Sequence, residues 1–123
     1  MRILVVDDIR DQLETICRGL FLYEHRCFTA LNSTEAEHWL TGPDGDSIDI
    51  VVTDITADGN SVLSLIETVK QVRPELPIVV ITGLQANMEV QAVYEMGLPV
   101  LQKPFDPQKL NNLIQKYTKK DDE

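Results

Sequence analysis

The chain has 123 residues, with 20 acidic against 11 basic side chains and a net charge of −9, a length that suits one domain able to bury a core without disulfides or a metal. Its 43% apolar and 25% charged fractions are ordinary for a soluble globular protein, and no apolar run reaches the roughly 18 residues of a membrane span. So acidic a surface repels phosphate backbones, which argues against direct nucleic-acid binding, and the lack of a signal-peptide pattern before the first strand makes the cytoplasm the expected location.

Ile3–Val6 opens the chain as an uninterrupted, β-branched-rich run, the pattern of a strand covered on both faces. Leu13, Ile16, Cys17, Leu20 and Phe21 then recur at helical spacing and predict one buried stripe. Cys17 and Cys27 lack metal or redox spacing and read as reduced core thiols. Cys27–Ala30 is a weaker second strand. Thr34 with Glu37 has the spacing of a capping box at the head of a second helix. The turn cluster TGPDGDS, 41–47, separates that helix from a third strand over Ile48–Val52, whose run DIVVTD closes on Asp54.

Leu65, Ile66, Val69 and Val72 predict a third helix, and Ile78–Ile81 a fourth strand. Tyr94 shares helical spacing with Val90 and Val93 and reads as a packing residue of a fourth helix. Val100–Leu101 is a weak fifth strand. Asp106-Pro107 reads as an N-cap followed by proline at the first helical position, before a stripe of Leu110, Leu113, Ile114 and Tyr117. His25 and His38 fall on a loop and a helix and read as surface or half-buried residues. Five strands alternating with five helices predict a parallel sheet in a three-layer α/β/α sandwich, with ligands bound beyond the carboxyl ends of the strands.

The strand ends are where the chemistry collects. The first strand ends in Asp7-Asp8, the third in Asp54, the fourth in Thr82-Gly83, and the fifth leads into Lys103. Singly, each has a plain structural use: Asp8 as a helix cap, Asp54 as a turn residue, Thr82 as a strand-end hydroxyl. Together they leave one edge of one sheet. Three carboxylates and an ammonium around a crevice fit a hard divalent cation, and magnesium best, since it takes one or two carboxylates and shares the rest of its shell with water and phosphate. The metal would offset the repulsion between Asp7 and Asp8, and without it one of the pair should hold its proton more tightly. Asp54 then suits a nucleophile in phosphoryl transfer, Lys103 and Thr82 the stabilisation of phosphoryl oxygens, and Gly83 leaves room for the group.

The motifs VVDD, VVTD, VITG and LQKPF, in this order and near-regular spacing, resemble the receiver domain of two-component response regulators over essentially the whole chain. The resemblance implies a flavodoxin-like doubly wound five-stranded parallel sheet of order 2-1-3-4-5 over residues 1–119, followed by a charged tail at 120–123. It implies that Asp54 accepts a phosphoryl group from a histidine kinase or phosphotransfer protein, and that Asp7, Asp8, Asp54 and the backbone carbonyl of Thr56 hold Mg2+. Thr82 and Lys103 would contact the phosphoryl group, and Lys103-Pro104 would be cis. Such a domain is a signalling module, not an enzyme: it catalyses only its own phosphorylation and dephosphorylation. Its output would pass to a downstream protein target or effector domain, with a homodimer open to it and no membrane partner.

Three departures from the family pattern stand out. Ala57, Asp58 and Val62 occupy the usual Met, Pro and Gly positions after the phosphoacceptor, Val100 stands where a switch Tyr or Phe is usual, and GLPVLQKPF is one residue short. They motivate an alternative from another class, a phosphorylation-independent pseudo-receiver that acts as a protein-binding module. DITADGN also brushes against a calcium-binding EF-hand loop, but Leu65 stands where the bidentate Glu is needed. A hydrolase using an aspartyl phosphate would need a substrate-recognition cap for which the chain has no room. Val100 is too small and stiff to act as an aromatic switch, so phosphorylation or a beryllofluoride mimic should perturb amide signals of residues 56–62 more than those of 100–103. A larger response at 100–103 with the loop unmoved would contradict this.

Overall fold

Unbroken apolar runs can be strands only where both faces of a sheet are covered, and that is where the chain puts them. The computed structural model describes residues 1–55, 62–83 and 88–118. In chain order the elements are β1 (Arg2–Val6), α1 (Arg10–Phe21), β2 (Arg26–Ala30), α2 (Ser33–Thr41), a single 3-10 turn (Gly45–Ser47), β3 (Ile50–Asp54), α3 (Val62–Val72), β4 (Ile78–Thr82), α4 (Met88–Glu95), β5 (Val100–Gln102) and α5 (Pro107–Thr118). The strands form one parallel sheet of order β2-β1-β3-β4-β5, as expected. The winding reverses between β1 and β3, so their carboxyl ends flank the crevice where such sheets bind ligands. Among the described residues no helix is long and apolar enough to cross a membrane.

Alternation along the strands feeds two cores. Leu4, Val6, Val51 and Val80 point to the face covered by α2, α3 and α4, where Ala36, Leu40, Leu65, Ile66, Val69 and Val93 meet them. Ile3, Val5, Val52 and Ile81 point to the other face, against Leu13, Ile16 and Leu20 of α1 and Leu110 and Ile114 of α5. Cys17 and Cys27, both half-buried free thiols, pack beside this second core, where the neighbouring Cys17 thiol and burial push the Cys27 thiol above its ordinary range.

Several local expectations change. The third strand begins at Ile50, two residues later than Ile48, because Ile48 closes the 3-10 turn by donating its N–H to the Gly45 carbonyl. That turn is locked from outside: Arg73 Nη1 donates to the carbonyls of Gly45, at 2.6 Å, and Ile48, at 3.3 Å. Gly45 itself is required, since a Cβ there would lie 2.0 Å from the Leu40 carbonyl oxygen. Phe21, Val72 and Tyr117 are 74%, 40% and 40% exposed despite their places in the predicted stripes. Each stands in the last turn of its helix, and a periodic pattern cannot see where its element stops. Tyr94 is also exposed: Val90 and Val93 form the buried face of α4, and the ring sits off it.

His25 is buried, not a surface residue. Its Nδ1 lies 3.1 Å from the Met1 amine, and its Nε2 donates to Asn111 Oδ1 at 2.6 Å, joining the start of β1 to α5. Asp106 does cap α5, its Oδ1 accepting from the Gln108 N–H at 2.9 Å. The cap of α2 is not Thr34 with Glu37. Asn32 Oδ1 accepts from the Glu35 N–H at 2.8 Å, and Glu35 Oε1 accepts from the Leu31 N–H at 2.7 Å, a reciprocal arrangement two residues earlier. Glu37 instead accepts from the Thr68 hydroxyl of α3. Asn32→Ala should therefore cost about 1 kcal/mol in urea unfolding, while Thr34→Ala stays near wild type. Equal losses for both variants would contradict this cap.

Candidate functional site

β1, β3, β4 and β5 each lead into polar residues at their carboxyl ends. Asp7 follows β1 directly, its N–H donating to the Ala30 carbonyl at 3.1 Å, which continues the β1–β2 ladder and fixes where the side chain emerges. Asp54 is the last residue of β3, in register with Ile81, and Thr82 ends β4 opposite Gln102. The Lys103 N–H donates to the Thr82 carbonyl at 2.8 Å, so the chain after β5 stays tied to β4, and the Lys103-Pro104 bond is cis. Asp7, Asp54 and Thr82 are buried, at 0%, 7% and 2% exposure, whereas Asp8 is exposed.

These residues converge. One carboxylate oxygen each from Asp7, Asp8 and Asp54 lies within 4.8 Å of the others. Lys103 Nζ stands 3.5 Å from Asp7 Oδ2 and 3.5 Å from Asp54 Oδ2, and also donates to Gln12 Oε1. At that carboxylate spacing and an effective dielectric of about 20, each like-charged pair repels by about 3.5 kcal/mol before further screening. One ammonium meets two of the carboxylates and leaves the cluster with an excess of negative charge. The donor set is all oxygen and concave, which is the chemistry of a hard divalent cation.

The strain of this charge is concentrated on Asp7. Burial, above all, raises its carboxyl above the usual 3.8, and the Asp54 charge adds to that rise; the Ile9 N–H, donating at 3.0 Å, and the Lys103 ammonium oppose it without cancelling it. The sequence pointed to repulsion between adjacent Asp7 and Asp8. The structure instead makes desolvation the main cause and Asp54 the charged neighbour. Nor does Asp8 cap α1, whose N-cap is Ile9 with no side-chain hydrogen bond. Among the described residues, a Cβ on Gly83 would meet only Lys103 Cδ, at 3.9 Å, an ordinary contact distance.

The family model for the response regulator receiver domain matches residues 3–115. The chain belongs to this family. Among curated proteins, it is 28% identical over 115 residues to the DNA-binding transcriptional regulator NtrC of Azospirillum brasilense, covering 93% of this chain and 23% of that one. It is 34% identical over 114 residues to the phosphoglycerate transport system transcriptional regulatory protein PgtA of Salmonella typhimurium, covering 92% and 27%. The chain thus spans about a quarter of the length of the curated relatives it matches. Among solved structures, a response regulator receiver domain protein from Clostridium thermocellum superposes with a TM-score of 0.86 at 27% identity, over 95% of this chain and 93% of that one. The receiver domain of NtrX from Brucella abortus gives 0.83 at 26% identity, over 94% and 97%.

Of the residues singled out in this receiver domain, Asp7, Asp8, Asp54 and Lys103 come together, and Thr82 ends the neighbouring strand. Thr56, with Ala57 and Asp58, lies outside the described residues. Sequence reasoning missed Gln12; its place in the first turn of α1, just after Asp8, was the available signal. Asp7→Asn keeps the acceptor for Ile9 and removes the buried charge. A carboxyl raised in the folded state opposes stability above that raised value, and the penalty disappears as pH falls through it. Free of divalent cations, Asp7→Asn should therefore melt above wild type at neutral pH, and paired melts should show the gap closing as the pH approaches 3.8. A gap that widens on acidification would contradict this.

Proposed function

We propose that this chain is a phosphoacceptor receiver domain that takes a phosphoryl group from a histidine kinase or phosphotransfer protein onto Asp54. The observation that carries the reading is the Lys103 ammonium 3.5 Å from both Asp7 and Asp54, at the mouth of the two strands where the winding reverses. A carboxylate oxygen of Asp54 attacks the phosphorus, the bond from phosphorus to the donor breaks, and the donor leaves with that electron pair. Lys103 would meet one phosphoryl oxygen and the Thr82 hydroxyl another, answering the charge shifted onto those oxygens. Attack of water on the aspartyl phosphate returns Asp54 and inorganic phosphate, and no other substrate is turned over.

Magnesium would be held by Asp7, Asp8 and Asp54, with the Thr56 backbone carbonyl as the ligand carried over from the family. Bound there, it would supply positive charge for the phosphoryl oxygens and relieve the carboxylate cluster. The phosphoryl state would be read by a downstream protein or an effector domain, in the cytoplasm, with no part for direct nucleic-acid contact by this domain.

Incubation with magnesium and acetyl phosphate should add one phosphate to wild type and none to Asp54→Asn, read by intact mass. Magnesium at ten times its dissociation constant should stabilise wild type by about 1.4 kcal/mol, and the gain should shrink in Asp8→Ala. Equal labelling of Asp54→Asn would refute the assignment, and a wild type that takes no phosphate would favour the pseudo-receiver.

A further inference from the structure

Lys103 carries three ammonium donors, and among the described residues three side-chain acceptors meet them: Asp7 Oδ2 and Asp54 Oδ2, each at 3.5 Å, and Gln12 Oε1. The two carboxylate contacts stand at the long limit of a hydrogen bond, where they attract the ammonium without fixing its direction, and the uncharged Gln12 oxygen is the third group that meets it. Gln12 is half-buried in the first turn of α1. With Lys103 it lines one end of a cavity of about 360 Å3 that runs between α1 and α5 past Ile16, Leu20, Phe105 and Leu110. A carboxylate at this position would add a fourth negative charge to the cluster. An apolar side chain would let the ammonium settle onto a single carboxylate. An amide oxygen does neither: it fixes where the charge points without offsetting it.

We infer that Gln12 is a positioning residue for Lys103, whose amide oxygen holds the ammonium between Asp7 and Asp54, facing the place of a phosphoryl oxygen on Asp54. The inference rests on the phosphoacceptor reading above and assigns a role that none of the strand-end motifs carries.

Two variants separate the contact from the packing. Gln12→Leu keeps the bulk and removes the acceptor; Gln12→Glu keeps the acceptor at the same reach. The first readout needs no phosphorylation: the proton–nitrogen NMR signal of the Lys103 ammonium in metal-free protein, assigned by its loss in Lys103→Met. It should be protected from exchange in wild type and Gln12→Glu, and lost in Gln12→Leu. The second readout is labelling by acetyl phosphate with magnesium, at varied donor concentration. Gln12→Leu should lower the maximal rate roughly fivefold, as expected for one modest hydrogen bond, with the half-saturating donor concentration unchanged. An ammonium signal equally protected in Gln12→Leu, with the wild type labelled, would overturn the inference alone. A wild type that takes no phosphate would overturn the phosphoacceptor reading and the inference with it. The two failures are distinct, because in the second the ammonium signal still responds to Gln12→Leu.

Discussion

Asp7 directly after β1 and Asp54 at the end of the neighbouring β3 set two carboxylates side by side, and the cation that answers them comes from the segment after the edge strand β5. Asp7 and Asp54 are buried where water cannot spread their charge, and Asp8 adds a third carboxylate at the rim. Lys103 reaches back from the segment after β5 to stand between the buried pair. That reach needs the rest of the fold. β4 must lie between β3 and β5, the Lys103 backbone must be held to the end of β4, and α1 must present Gln12 beside the ammonium. A cluster like this is not a stabilising feature: desolvated like charges oppose folding. The two apolar cores, one on each face of the sheet, supply the excess that lets the crevice keep its charge.

Membership of the receiver family gives those charges a common purpose, and the departures from the family pattern lie around the crevice more than in it. Asp7, Asp8, Asp54, Thr82 and Lys103 are all present. What differs is the surface through which a phosphorylated state would be felt. Val100 sits half-buried in β5, opposite Val80 and against the core shared with α4, where a flat aromatic ring could turn in or out but a β-branched side chain has one stiff torsion. Of the aromatics near it in sequence, Tyr94 stands exposed on α4 and Phe105 packs against the other core. The strand-end residues thus follow the family closely, and the residue at position 100 does not.

Other features serve the frame. The His25 bridge between the chain's first residue and Asn111 of α5, the Arg73 clasp on the 3-10 turn, and the Asn32–Glu35 cap each satisfy polar groups that burial or a helix end would otherwise leave unpaired. The first two lie at the amino ends of the strands, opposite the edge that carries the carboxylate cluster. They fix the starts of β1 and β3 and the head of α2, while the β1–β3 ladder, which sets Val6 opposite Thr53, brings Asp7 and Asp54 to the same level.

The sequence by itself determined the element types, their alternation and therefore the parallel sheet, because apolar periodicity and strand-end residues are local properties that a chain carries along its length. The order of VVDD, VVTD, VITG and LQKPF also marked which side chains belong to the crevice. Tertiary structure decided what depends on distant segments meeting. The raised carboxyl of Asp7 is one such case, since only packing determines which of two adjacent aspartates loses its water. Gln12 joins the site because α1 docks beside the Lys103 segment, 91 residues away in the chain. Phe21 and Tyr94 lie outside the core because helix ends and neighbouring faces set burial, and neither is written in a periodic pattern. Residue type and spacing are encoded locally; desolvation and direction arise only when the layers close on one another.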